Sequence, residues 1–461
     1  MVESDVETGD SECGPGSQFN DRNVLVMGLG RFGGGVGVCR WLCRHGATVT
    51  VTDSAPQSAL ADSVAELADC DITFHLGRHD DRDLDRADLV VVNPAVDRRS
   101  SAFFARIVER GTPWTTEINL FLERCPGRVI GVTGTAGKST TCALLFEALQ
   151  PLTTGDRRVW FGGNVGRSLL GDLDDIGRSD LVILELSSFQ LDTFARTKRG
   201  VHVALITNAW PNHLDRHGDF QAYLSAKLNL FRLQEPGSLA VVGAHDAALR
   251  KAVEAIAERT RARLLFVPQP SEPFGLLIPG PHNQANAACA ATVARLLGVE
   301  QNVARDRMAG FPGLPHRLQH VGAFGGVDYF NDSKSTTPAG TATALASFDQ
   351  PVIAIVGGQD RGDDIAPLLQ ALIDRAKAVV CMAQSGPVIA RALTAARGAR
   401  GRPVVEVASD LTDAVERAHQ NAPAGGVILL SPGAPSYGEF VNYEDRGRAF
   451  VQAVRRLHDR Q

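Results

Sequence analysis

Short runs of β-branched and aliphatic residues alternate with helical stretches along almost the whole chain, and this alternation restricts the fold more than any single motif. Strands that succeed one another through helices pair in parallel, with helices covering the sheet faces. The first third reads as strand "NVLVMGLG", helix "VGVCRWLCRHG", strands "TVTVTD" and "ADLVVVNP", then a helix and linker, "PWTTEINLFLERCPG". A second series opens with strand "RVIGVTG" and helix "KSTTCALLFEALQ". It continues with strands "DLVILELSS" and "VHVALITN" and helices "AYLSAKLNLF", "AALRKAVEAIAERT" and "NQANAACAATVARLLG". Beyond the Pro- and Gly-bearing linker "GFPGLPHRLQ", strands "PVIAIVGG", "AVVCMA", "VVEVAS" and "GVILLSPG" alternate with amphipathic helices. The expectation is an α/β protein of three domains, residues 21–122, 123–313 and 314–461, after a polar, disordered tail over 1–20.

The stretch "GVTGTAGKST", Gly131 to Thr140, joins a strand to a helix through a glycine-rich turn. Such a turn aims backbone N–H groups and the positive end of the helix dipole at one point, which suits phosphate. Lys138 adds a full charge for the outer phosphates, and Ser139 a hydroxyl suited to Mg²⁺. The spacing is not that of the common phosphate loop, because Val132 stands where that loop has its first glycine. A second glycine turn, "GLGRFG", places Gly28, Gly30 and Gly33 after a strand, with Asp53 ending the next strand. That pattern points to a diphosphate-bearing ligand without saying which one. Glu185, at the end of "LVILE", sits where a parallel sheet presents its ligand edge. His213, Asp215 and His217 crowd after "VALITN", and Lys227 lies in an amphipathic helix, where its plain reading is a surface lysine. Lys334, Arg361 and Ser436 fall in strand-end segments and suit an anionic small molecule.

Composition narrows the classes. A net charge of −5 with scattered basic residues gives no nucleic-acid footprint and no basic membrane face. No apolar run is long enough to span a bilayer, and the acidic start lacks the pattern of a signal peptide. A cytoplasmic protein is expected, and a monomer. The eight cysteines form no CxxC pair, so small core residues in a reducing compartment are expected rather than a zinc site.

Taken together, "GVTGTAGKST", "ELSSFQLD", "TNAWPNHLDRH", "AKLNLF", "HNQANAACAA", "HRLQ", "NDSKSTTP" and "LSPGAPSYGEFVNYEDRG", in this order, resemble the Mur ligase family. These are ATP-dependent enzymes that add amino acids to the peptidoglycan precursor. "SSFQLD" and the last segment are most similar to the D-glutamate-adding member. The resemblance covers nearly the whole chain after the tail. It implies two Rossmann-like α/β domains flanking a central P-loop ATPase domain. The implied substrates are UDP-N-acetylmuramoyl-L-alanine (UDP-MurNAc-L-alanine), D-glutamate and ATP, with two Mg²⁺ ions and an acyl-phosphate intermediate.

Site roles follow from the same resemblance. Gly134, Thr135, Ala136, Gly137, Lys138, Ser139 and Thr140 would hold the ATP phosphates, and Ser139 and Glu185 one Mg²⁺. His213 and a CO₂-carbamylated Lys227 would hold a second. Asn286 would contact adenine, and Arg317 and Asp332 would reach ATP from the linker and third domain. Arg31, Phe32, Asp53 and Ser54 would surround the UDP, and Asn164, Ser187 and Gln190 the muramoyl-peptide arm. Lys334, Thr336, Arg361, Ser436 and Tyr443 would hold D-glutamate. The chain departs from the family pattern at Ala136, where Asn is usual, and at Arg361, where Lys is common. Tyr443 replaces a phenylalanine seen in some members, and Asn93 to Ala95 replaces a Ser-Pro-Gly turn. Three alternatives remain at this point: a dehydrogenase, suggested by the first glycine turn; a non-catalytic nucleotide-binding protein; and a related Mur-type or folylpolyglutamate-type ligase using another acceptor or acid.

Overall fold

The computed structural model describes residues 19–30, 33–164, 168–197, 199–243, 247–256, 260–396 and 402–459. Arg31, Phe32 and most of the tail lie outside the described residues. Three sheets carry the fold. In the first, β1 (Asn23–Met27), β2 (Thr48–Asp53), β3 (Ile72–Leu76), β4 (Leu89–Val92) and β5 (Trp114–Thr115) pair in parallel in the order β3-β2-β1-β4-β5. The order reverses between β1 and β4, so a crevice opens beyond their carboxyl ends. Trp114–Thr115, expected as the start of a helix, is instead a two-residue edge strand, and the helix begins at Glu117. Thr116 caps that helix, its Oγ1 accepting from the Asn119 N–H at 3.4 Å.

The second sheet holds β6 (Arg128–Thr133), β7 (Val159–Gly163), β8 (Leu181–Glu185), β9 (Val203–Ile206), β10 (Leu239–Gly243) and β11 (Arg263–Val267). All its pairings are parallel, in the order β11-β10-β9-β6-β8-β7. Its central strands are buried on both faces, which is why "VIGVT" and "LVILE" read as continuous apolar runs rather than alternating ones. One core runs through this unit, from Phe19, Trp41 and Leu42 under the first sheet to Leu184, Leu230 and Phe231 under the second.

The third sheet belongs to a separate compact unit made of residues 270–288 and 301–461. It comprises β12 (Gln319–Phe324), β13 (Val327–Asn331), β14 (Val352–Val356), β15 (Ala376–Cys381), β16 (Val404–Val407) and β17 (Val427–Leu430). The order is β12-β13-β17-β14-β15-β16, parallel throughout except for the β12–β13 hairpin. The seven described cysteines are free, five of them buried. Among the described residues no helix is long and apolar enough to cross a membrane.

Candidate active site

The loop after β6 is held open by its neighbours. Gly137 caps the helix Lys138–Leu149 with φ 78°, and Gly134 takes φ 156°. A side chain at Gly134 would place its Cβ 2.0 Å from Thr207 Oγ1, so only glycine fits. Asn208, just past β9, braces the turn from both sides. Its Oδ1 accepts from the N–H groups of Thr135 (3.1 Å) and Ala136 (3.0 Å), and its Nδ2 donates to the Ala136 carbonyl at 3.0 Å. Thr207 Oγ1 donates to the same carbonyl at 3.0 Å. Tyr223 OH and the Trp210 N–H both donate to Thr135 Oγ1, at 3.0 and 3.1 Å. These braces come from segments more than 70 residues away, and sequence reasoning did not single them out. Only "TNAW" directly after a strand hinted at Asn208.

Two lysines meet at this turn. Lys138 Nζ donates to the carbonyls of Gly134 and Thr135, both at 3.1 Å. Lys227 Nζ donates to the Gly134 carbonyl at 2.8 Å and to Thr133 Oγ1 at 3.4 Å. Lys227 is only 1% exposed, so it is not the surface lysine that its helix pattern alone suggests. Burial pushes its pKa down from 10.5 to about 7; the charge of Lys138 adds to the drop and Glu185 opposes it. Its ammonium also lies 4.6 Å from the ring centroid of Tyr223.

Glu185 ends β8 beside this turn and is 1% exposed. Asn164 Nδ2 donates to its Oε1 at 3.3 Å, while its buried Oε2 has no hydrogen-bond partner among the described residues. An orphaned buried carboxylate oxygen, on the strand paired with the one that leads into the phosphate turn, suits a hard dication that takes its remaining ligands from phosphate and water. Among the described residues no three His, Cys, Asp or Glu side chains form a metal cage by themselves. His213 stands at φ 53° before the one-turn helix Leu214–His217, its ring 5.1 Å from Phe189 and 6.4 Å from Tyr223. His217 is buried and bonds through Nε2 to Ser188 Oγ at 3.0 Å, which gives it a packing role.

A cleft of about 510 Å³ runs from the crevice of the first sheet to the carboxyl edge of the second. Gly28, Gly30 and Asn93 line it on one side, Asn164, Ser187 and Gln190 on the other. Ser187 and Gln190 close a capping box, which the "SSFQ" spacing encodes. A second groove of about 390 Å³ shares Gly28, Gly30 and Asn93 and adds Asp53, Ser54 and His79. The two together make room for an extended ligand. Asp53 differs from the ribose-binding pattern. Its Oδ2 accepts from the N–H groups of Leu29 (2.9 Å) and Gly30 (3.3 Å), and its Oδ1 from that of Ala55 (2.8 Å). The acid thus satisfies the glycine turn itself.

In the second unit, Asp332 is buried at the end of β13. Its Oδ1 accepts from the Leu318 N–H at 3.1 Å and its Oδ2 from Ser431 Oγ at 2.8 Å. Burial lifts its carboxyl to about 6. Arg317 is exposed between His316 (φ 63°) and Leu318 (φ 42°), two left-handed residues that fix where it projects. The His316 ring lies 6.1 Å from that of Tyr443, and its carbonyl accepts from the Lys334 N–H at 3.0 Å. Lys334 Nζ is 5.5 Å from the Tyr443 ring centroid. Ser436 lines a pocket of about 280 Å³ with Gly357, Gly358 and Arg446. Arg361 and Thr336 lie in irregular segments, Arg361 exposed and Thr336 partly so. Asn286 is buried and donates to Asn283 Oδ1 at 3.3 Å.

Known proteins match this chain along its length. Family models for a MurD-like N-terminal domain, a Mur ligase middle domain and a Mur ligase glutamate ligase domain match residues 22–114, 132–267 and 316–433. Proteins named UDP-N-acetylmuramoylalanine–D-glutamate ligase are similar to it. The one from Desulfosudis oleivorans is 33% identical over 96% of this chain and 98% of its own length. The one from a Roseiflexus species is 35% identical over 95% and 99%. Among solved structures, the UDP-N-acetylmuramate-alanine ligase MurC of Thermotoga maritima shares the fold with a TM-score of 0.56 at 20% identity, over 94% of this chain and 99% of that one. The MurF ligase of the same organism, solved with ADP, gives 0.55 at 17%, over 95% and 96%. With three family models in order and relatives above 30% identity over nearly the full length, the chain belongs to the Mur ligase family.

Proposed function

We propose that the chain is an ATP-dependent ligase that joins D-glutamate to UDP-N-acetylmuramoyl-L-alanine in peptidoglycan precursor synthesis, releasing ADP and phosphate. The observation that carries the reading is the convergence of Lys138, Lys227 and Glu185 on one phosphate-type turn, beside a cleft sized for an extended ligand. The names of the relatives support the choice of substrates. In this reading residues 21–122 bind the UDP part, 123–313 bind ATP and 314–461 bind the amino acid, and the enzyme acts as a monomer in the cytoplasm.

A carboxylate resists attack, because its charge repels nucleophiles and oxide is a poor leaving group. Phosphoryl transfer from ATP to the alanyl carboxylate gives an acyl phosphate. The D-glutamate amine then attacks the carbonyl carbon, and phosphate leaves with the electrons of the C–O bond. Two anions, carboxylate and γ-phosphate, must first be brought together, and Lys138 with the turn's N–H groups supplies the positive field. Ser139 and Glu185 would hold Mg²⁺, which when bound offsets phosphate charge. His213 and Lys227 would hold a second ion once Lys227 has taken up CO₂. Its depressed pKa favours this step, since only the free amine adds to CO₂. Lys334, Thr336, Arg361, Ser436 and Tyr443 are assigned to D-glutamate, and Asn286, Arg317 and Asp332 to ATP. Asn164, Ser187 and Gln190 are assigned to the muramoyl-peptide arm. Ser54 and Asp53 are assigned to the uridine end, Asp53 with its carboxylate already engaged.

Phosphate release from ATP should require both the UDP-sugar and D-glutamate. A UDP-sugar labelled with ¹⁸O in its alanyl carboxylate should deliver one ¹⁸O to the released phosphate. Unlabelled phosphate would overturn the acyl-phosphate step. Release driven instead by L-glutamate or a folate substrate would overturn the substrate assignment.

A further inference from the structure

Among the described residues lining the 510 Å³ cleft, Glu117 is the one acid and Arg216 the one cation. Glu117 is the first residue of the helix Glu117–Arg124, so the capped helix start fixes its position. Ser168 Oγ donates to its Oε1 at 2.5 Å, and no other described residue donates to this carboxyl. The side chain is largely buried but keeps a part exposed toward the cleft. Burial raises its pKa, and the Ser168 bond opposes the rise.

A carboxylate in a half-dry cleft repels phosphates and carboxylates strongly. It is suited to neutral donors, hydroxyls and amide N–H groups, because hydrogen bonds to a charged acceptor are the stronger kind. Arg216, by contrast, is anchored to the loop after β4, its Nη2 donating to the Val96 carbonyl at 3.2 Å while its guanidinium covers the Phe189 ring at 4.8 Å. The cleft therefore presents a cation for the charged parts of a ligand and an acid for an uncharged, donor-rich part. Glu117 shares the cleft both with Asn93 and with Asn164, Ser187 and Gln190. The uncharged part of a UDP-linked muramoyl peptide between its diphosphate and its peptide is the N-acetylated hexose.

We propose that Glu117 is a specificity-determining residue that recognises this hexose, accepting hydrogen bonds from its hydroxyl or acetamido N–H groups, with Ser168 as its positioning residue. The proposal rests on the ligase reading above. In Glu117→Gln, KM for the UDP-sugar should rise about tenfold or more, the usual loss for a hydrogen bond to a charged group. The inhibition constant of UDP alone, which lacks the sugar, should stay within about twofold, as should KM for ATP and for D-glutamate. Ser168→Ala should shift the same KM in the same direction by less. Equal losses for UDP and for the UDP-sugar, or an unchanged KM in Glu117→Gln, would overturn the proposal. A general fold defect would appear as a lowered Tm with all constants changed, and that outcome would also count against it. A wild-type protein that does not turn over the UDP-sugar at all would instead refute the ligase reading.

Discussion

Replacing Lys227 by methionine should make the protein more stable and inactive. The lysine titrates near 10.5 in an unfolded chain and near 7 in the folded protein, because burial disfavours its ammonium and Lys138 repels it. That difference corresponds to about 5 kcal/mol of bias against the charged form. The folded state therefore binds fewer protons than the unfolded one between pH 7 and 10.5. Stability from this group is present above the unfolded value, falls as the pH drops, and is fully lost below the folded value. Methionine removes the penalty but also removes the bonds to the Gly134 carbonyl and Thr133 Oγ1, worth about 1–3 kcal/mol together. At pH 6 a net gain on the order of 2–4 kcal/mol is expected, shrinking toward a loss near pH 10. Denaturant unfolding of both proteins at the two pH values measures it.

The same shift has a chemical reading. At pH 7 about half of Lys227 would be free amine, against about one part in 3,000 for an ordinary lysine. ¹³C-bicarbonate should then give a carbamate signal that vanishes in Lys227→Met. The chain has six lysines, so the ε-carbon of Lys227 can be identified by difference and titrated directly. A Lys227 that titrates near 10, or a methionine variant destabilised equally at pH 6 and pH 10, would refute the burial argument.

Lys138→Ala should abolish turnover while leaving UDP-sugar binding by calorimetry unchanged, since Lys138 does not line the cleft; residual turnover near wild type would contradict its phosphate role. In Gly447→Ala the new Cβ would lie 2.0 Å from His316 Nδ1, and overpacking of this kind costs about 1–3 kcal/mol. That variant should melt earlier and show a raised KM for ATP through displaced Arg317; a wild-type melt would show that the ring has room to move. Asp332, lifted by burial to about 6, makes the folded state bind the extra proton, so its contribution is present below pH 3.8 and lost as the pH rises through 6. Asp332→Asn should flatten that fall by up to about 3 kcal/mol in unfolding measured at pH 4 and pH 7, and an unchanged slope would contradict it.

Local chemistry was legible in the sequence and long-range geometry was not. Gly134, Gly137, Lys138 and Ser139 sit within six residues, so their turn could be read directly. The buried central strands β6, β8, β9, β14 and β17 announced themselves as apolar runs. Strands β3, β7 and β11 lie at sheet edges, where half-exposed residues such as those of "ITFHL" break the pattern. The β12–β13 hairpin hides in a segment that looks like a continuing linker. Lys227 reads as a surface residue because its helix pattern cannot reveal what packs above it. Asn208 and Tyr223 brace the loop across more than 70 residues of sequence, a relation that appears only once β6 and β9 are paired.

The carboxylate of Asp53 has a consequence for how such chains are sorted. A glycine turn of the GxGxxG type is commonly treated as a sign of NAD or FAD. Here the N–H groups of Leu29 and Gly30, which would otherwise be offered to a cofactor's pyrophosphate, already have a permanent occupant from the neighbouring strand. The turn behaves like a lock with its own key left inside. Because that carboxylate is tied at three points, the diphosphate of any ligand in this crevice, UDP or dinucleotide, must be met by other groups than these two N–H donors.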